Sequence, residues 1–166
     1  MFDYYQLTVP VYIRALKQLS HLISRASEFA EHKKISDDTI LGLRLAPDML
    51  PLVRQVQITC DNAKFAVARL SGANAPKHED NETRFIDLQH RINETLSFIE
   101  SVPRSDFKNA ADKTITLSFM PDKPMSAEFY LLSFVTPNFY FHLNMTYALL
   151  RSNGVEIGKQ DYIGAI

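Results

Sequence analysis

Asn138 and His142 stand four residues apart in the last long apolar stretch of the chain, Phe129 to Asn153. At that spacing two side chains lie one above the other on the same side of a helix. They share that side with Leu131, Phe134, Val135, Met145 and Leu149, so two polar groups sit on a face otherwise suited to a core. Buried polar groups need partners. Three arrangements supply one: a hydrogen bond within the pair, an apolar pocket in which the pair anchors a small molecule, or a bound metal. Imidazole is a good metal ligand, whereas a carboxamide is an uncommon one for zinc-like ions, and a catalytic metal takes three protein ligands as a rule. Other catalytic patterns are missing. The sequence has no glycine-rich phosphate loop, no Gly-x-Ser-x-Gly, no His-Glu-x-x-His and no Cys-x-x-Cys. The one cysteine, Cys60, falls on the apolar side of its helix and reads as core filler rather than nucleophile.

The elements that must position this pair follow from hydrophobic spacing. A first helix is expected over about 8–31, capped by Thr8, with Pro10 harmless in its first turn. Its face is Ile13, Leu16, Leu19, Ile23, Ala26 and Ala30, and His21 and His32 fall on the solvated side. A short helix is expected from Ser36 to Leu43. Asp48 is placed as the N-cap of a second long helix, about 49–70, ending at Gly72, and Arg44 and Asp48 can pair at its start. That helix buries Met49, Leu52, Val56, Cys60, Ala63, Val67 and Leu70. Ile58 and Phe65 form a second apolar strip nearly opposite, while Gln57 and Asp61 sit at the margin and read as boundary polar residues.

A polar connector, Ser71 to Asn81, carries His78, read as solvated. A third helix ends near Val102, before Pro103, with Phe85, Leu88, Ile92, Leu96 and Ile99 on its stripe and His90 exposed. From Lys113 to Phe119 the period changes to two, the sign of a half-buried strand. Met120 to Pro124 is turn chemistry, and Met125 to Glu128 can return as a second strand. In the last helix Pro137 predicts a kink, and Asn153-Gly154 a stop. Phe139, Leu143, Tyr147 and Leu150 make a further apolar face there, and the tail from Val155 to Gly164 is expected to pack back as an arm. The sum is an all-α chain, one domain over 1–166: a four-helix bundle with a small β-hairpin between the third and fourth helices. The extra apolar strips on the second and fourth helices predict a homodimer.

The bulk properties narrow the function classes. The 166 residues are 46% hydrophobic and 22% charged with a net charge of −1, and no basic run exceeds Lys33-Lys34. Nucleic-acid binding, which needs concentrated Lys and Arg, is disfavoured. The first residues lack the basic region and apolar run of a secretory signal, and the last helix is too mixed to span a bilayer comfortably. The expectation is a cytoplasmic protein of bacterial type.

Val9-Pro10-Val11-Tyr12, Arg44-Leu45-Ala46-Pro47-Asp48-Met49, Arg54-Gln55-Val56-Gln57-Ile58, Pro137-Asn138-Phe139-Tyr140-Phe141-His142 and Leu150-Arg151-Ser152-Asn153-Gly154-Val155 with Gly158-Lys159 together carry a resemblance. The chain resembles an uncharacterised family within the DinB/YfiT-like superfamily of metalloenzymes. That resemblance implies a DinB-like four-helix bundle, commonly dimeric. It also implies a site where relatives hold a divalent metal with three histidines, one on the second helix and two on the last, some of them thiol-dependent transferases or isomerases. Registered on this sequence, His142 takes the second position of the histidine pair, Asn138 the first, and Gln57 or Ile58 the remaining one. One histidine of three is kept, which disfavours a metal cofactor. The expected site is therefore Gln57, Asn138 and His142, with His142 as general base or remaining metal ligand and a small molecule as ligand. The alternative is a non-catalytic binding or scaffold dimer whose buried polar pair sets helix register.

Overall fold

A computed structural model describes residues 2–164. The first helix, α1 (Val9–Lys33), begins at Pro10 in its first turn and ends on Lys34 in the left-handed region at φ 55°, whose N–H closes on Ala30 and Glu31. Thr8 precedes the helix but does not cap it. Its hydroxyl donates backwards to the Tyr4 carbonyl at 2.6 Å, because the N-terminal residues already form a turn that supplies an acceptor. The short α2 (Asp37–Leu41) is capped by Ser36, which accepts from the Thr39 N–H.

The next long helix, α3 (Leu52–Ser71), starts three residues later than expected. Pro51 is its N-cap, and Asp48 lies outside it. Arg44 does not pair with Asp48; its guanidinium donates to the Met49 carbonyl. A proline at the cap holds extended backbone and delays the first helical turn. Gly72, at φ 92°, ends α3 in a conformation that a side chain would strain. α4 (Phe85–Ser101) opens on Asp87, whose carboxylate accepts the N–H groups of Thr83 and Arg84 at 3.2 and 3.0 Å.

The hairpin pairs β1 (Thr114–Leu117) with β2 (Met120–Ser126) antiparallel, Ile115 opposite Met125 and Leu117 opposite Met120. Met120 to Pro124 is thus strand, not turn, and the reversal falls at Ser118-Phe119. A two-stranded ribbon has two open edges and here an irregular register between Ile115 and Leu117, so the missing N–H groups of Pro121 and Pro124 break nothing essential.

The last helix is assembled in three pieces. Ser126 caps α5 (Ala127–Phe129), a π turn covers Tyr130–Val135, and α6 (Thr136–Ser152) follows. The irregularity predicted from Pro137 takes this form. A wide turn immediately upstream accommodates a ring that cannot donate and that crowds the carbonyl four residues back. α1 packs on α4, and α3 packs on both α4 and α6. Tyr12, Leu16, Leu19, Leu52, Leu88 and Phe139 are fully buried between them.

Gly154, at φ 96°, turns the chain so that the Val155 N–H reaches the Leu150 carbonyl at 3.1 Å. Val155 and Ile157 are buried, and α7 (Lys159–Ile163) lies against α1. This is the expected arm. It gives His21 a partner the sequence did not suggest: Nε2 is 2.7 Å from the Asp161 carboxylate. The chain is mostly helical with one small antiparallel sheet, and no helix among the described residues is long and apolar enough to cross a membrane.

Candidate functional site

The two polar residues of the last helix do not bond each other. Each reaches across to α3. His142 Nδ1 is 2.7 Å from Gln55 Oε1, and Asn138 Nδ2 donates to Asn62 Oδ1 at 3.2 Å. Residue numbers rise on one helix as they fall on the other, so α3 and α6 run antiparallel with a polar rung at each of two levels. Gln55 in turn donates to the Leu50 carbonyl at 2.9 Å, tying the site to the loop before α3. Thr146 donates to the His142 carbonyl at 3.1 Å and Thr59 to the Gln55 carbonyl at 2.7 Å, so hydroxyls on both helices are spent locally.

His142 is buried, with 8% of its surface exposed. Burial pushes its imidazole below the usual histidine range, and the neutral ring prevails at pH 7. Nε2 makes no hydrogen bond among the described residues, yet is not one of the sealed polar atoms. Phe141 meets the imidazole ring in a T-shaped contact, ring centroids 5.1 Å apart, and is half exposed. The seam carries one cost: Asn62 Nδ2 is buried without a partner.

Gln57 does not join this seam. Two residues along a helix turn the side chain by about 200°, so Gln55 and Gln57, both buried, face opposite sides of α3. Gln57 Nε2 donates to Glu82 at 2.6 Å and its Oε1 accepts from Arg54 at 2.7 Å. Ile58 is half-buried and offers no donor atom. The residue that does face His142, Gln55, carried a visible signal: it lies three residues after Leu52 and one before Val56, on the apolar side of α3.

Gln57 belongs to a second polar constellation, where the connector folds over α3 and α4. Arg91, only 2% exposed in its side chain, meets Asp61 at 2.9 Å, Glu82 at 2.8 Å and Asp80 at 3.0 Å. Lys64, equally buried, sits 3.0 Å from Asp61 and 3.2 Å from His78 Nδ1. Gln57 is therefore an interior member of a charge cluster rather than a boundary residue, while Asp61, its side chain about a third exposed, sits at the cluster's boundary as expected. His78 is likewise not solvated; its side chain is 5% exposed, with Nε2 3.5 Å from Glu94. The trace in the sequence was Arg91, a cation three residues after Leu88 and one before Ile92 on the buried stripe of α4.

Clefts of about 410 and 550 Å³ flank this connector, lined by His78, His90 and Glu94 among others, and one of about 400 Å³ lies between α1, α6 and Tyr162. None of these three is lined by Asn138 or His142. Cys60 is wholly buried, and burial pushes its thiol up to about 12, as a core cysteine requires.

Both buried histidines predict a pH dependence. Burial and the Lys64 and Arg91 charges lower the His78 imidazole, and burial alone lowers His142. With folded values below the unfolded value of about 6.5, the unfolded chain binds more protons as pH falls through that point. Stability is then complete above pH ~6.5 and falls towards acid, by at most about 1.4 kcal/mol per pH unit for each histidine. Urea midpoints between pH 7.5 and 5 should show that slope, and His78→Gln and His142→Gln should each flatten it. A wild-type profile without slope in this window contradicts the assignment.

Whether the seam could hold a metal is decided by its donors. One imidazole nitrogen is already bonded to Gln55, and the remaining groups are carboxamides, which do not make a zinc-like site. Among the described residues no group of three or more His, Cys, Asp or Glu is placed to hold a metal ion. The residues do not fit the metal that the resemblance implies.

A mostly helical chain whose last, three-piece helix meets an antiparallel neighbour across a polar seam has the fold of a solved DinB family member. It is similar to the crystal structure of a DinB family member protein from Shewanella denitrificans, at 43% identity and a TM-score of 0.92, over 98% of this chain and 92% of that one. The chain belongs to the DUF1993 family, a domain of unknown function, whose profile matches residues 4–163. No curated protein matches it.

Proposed function

We propose that this DUF1993 protein is a DinB-like four-helix bundle that binds a small molecule at the α3–α6 seam through a single imidazole, without a metal. The observation that carries this reading is His142. Its Nδ1 is anchored on Gln55 while Nε2 is left without a protein partner beside the half-exposed Phe141. A histidine whose only purpose was to fill a core would have both nitrogens satisfied or sealed. A neutral imidazole with one free nitrogen can act as a general base towards a hydroxyl or thiol, or accept a hydrogen bond from a bound ligand. Asn138, one turn away, keeps its carbonyl oxygen and one N–H for the same ligand. This supports a degenerate relative of thiol-dependent transferases more than a metalloenzyme.

The second reading is a non-catalytic scaffold whose polar rungs set the register of α3 and α6. It is favoured by the two cross-helix hydrogen bonds and by the position of the larger clefts on other faces. His142→Leu separates the two. It leaves the Gln55 carbonyl oxygen unpaired, so a structural role predicts a loss of about 1–3 kcal/mol. A functional residue kept at a cost predicts unchanged or raised stability. Equilibrium urea unfolding reads the difference. Elemental analysis of untagged protein prepared without chelator tests the metal-free part: stoichiometric zinc, iron or nickel would overturn it.

A homodimer belongs to the same proposal. Phe129, Leu132 and Phe141 on the last helix and Leu45 and Leu50 beside α3 are large apolar side chains left about half exposed. Sedimentation equilibrium at micromolar concentration checks it, and a monomer would remove it.

A further inference from the structure

We infer that Gln55 is a positioning residue that holds His142 in the Nδ1–H tautomer, so that the site offers a bare Nε2 lone pair to a small weak acid carrying an O–H or S–H donor. The inference rests on the ligand-site reading above for its second half. The first half stands on hydrogen-bond logic alone.

Gln55 has two ends, one able only to accept and one able only to donate. One end lies 2.9 Å from the Leu50 carbonyl, which can only accept, so that end must be the NH2 group. The carbonyl end is therefore the one 2.7 Å from His142 Nδ1. A carbonyl oxygen can only accept, so Nδ1 must carry the proton. In a neutral ring the other nitrogen then has none. A main-chain carbonyl thus dictates, through one buried amide, which nitrogen of an imidazole on another helix is the base. Metal-binding histidines are oriented in the same way by a partner on the far ring nitrogen. Here the orienting device is present while the remaining metal donors are carboxamides.

The direction of the lone pair sets the ligand chemistry. Nε2 can accept a hydrogen bond but cannot donate one, which rejects ligands that present only acceptors, such as carboxylates. The half-exposed Phe141 against the ring suits an apolar body next to the donor. Phenols and small thiols have both features. With an acidic donor the same contact can pass the proton to Nε2, leaving His142 as imidazolium and the ligand as its conjugate base, with nothing oxidised or reduced.

The test is long-range 1H–15N correlation of the His142 ring in protein carrying 15N-histidine, at pH 7.5. The expected spectrum has a pyrrole-type Nδ1 and a pyridine-type Nε2. In Gln55→Met the two nitrogens should move towards averaged shifts as the tautomers mix. Gln55→Glu, which keeps an acceptor facing Nδ1, should restore the wild-type pattern and raise the pH at which the ring titrates. A protonated Nε2 in the wild type, or the wild-type pattern persisting in Gln55→Met, overturns the role of Gln55; if that variant does not fold, Gln55→Glu with an unmoved ring titration does so. Phenol, 2-mercaptoethanol and acetate are then titrated separately. A displacement of the Nε2 signal by phenol or the thiol but not by acetate supports the ligand class. No response to any of them removes the ligand-site reading while the tautomer result stands.

Discussion

Arg91→Ala should destabilise the protein by about 3–5 kcal/mol, the cost of removing one partner from buried ion pairs. The guanidinium sits at the centre of the connector cluster, within 3.0 Å of carboxylate oxygens on Asp61, Asp80 and Glu82. Without it Asp80 keeps Arg54 and Asp61 keeps Lys64, while Glu82, 7% exposed in its side chain, loses its cation and retains only the Gln57 amide. The loss should exceed what the missing methylenes account for. Arg91→Met, which keeps most of the packing, should therefore cost nearly as much as Arg91→Ala. Adding Glu82→Gln to Arg91→Met should recover part of the loss, since it removes one uncompensated charge. Urea midpoints at constant m-value provide the measurement. A change below about 1 kcal/mol would place the cluster with ordinary surface ion pairs. The connector is the region expected to loosen first, and amide exchange across 73–84 should quicken in both variants.

Phe139→Ala should cost about 3–5 kcal/mol by the transfer and cavity terms of a large buried aromatic. Phe139 is fully buried, with its ring centroid 4.8 Å from that of Tyr12 on α1 and 5.1 Å from that of Tyr140. Its ring contact with Tyr12 ties α6 to α1. Phe139→Leu keeps much of the volume and should lose roughly half as much or less. Since Phe139 holds the position from which His142 reaches Gln55, the alanine variant should also weaken that hydrogen bond, visible as a change in the His142 ring signals. Thermal unfolding gives the stability, and a variant within 1 kcal/mol of wild type would mean that the core refills the space.

Much of this was legible from residue spacing, and the reason is locality. α1 and α4 were visible in their apolar repeats, the hairpin in its period of two, and the helix stops in Gly72 and Gly154. That Asn138 and His142 share one side of one helix follows from 3.6 residues per turn and nothing else. Start positions were less secure. Asp48 has the chemistry of an N-cap, yet Pro51 governs where α3 begins, because backbone restriction at a proline outweighs a capping side chain a few residues earlier.

Residue spacing was enough to put an imidazole and a carboxamide on one apolar face of the last helix. What those two residues meet was fixed by the packing of α6 on α3. Gln55 and Gln57 are equally polar and two positions apart; which of them faces α6 depends on the rotation of α3 about its own axis, and that rotation is set by packing along the whole helix. The same is true of the connector. Its charges look solvated in a linear string, and gather round a buried guanidinium only when the fold lays the connector across Arg91. So the bonding of His142, and with it the nitrogen left free for chemistry, was a property of the assembled helices.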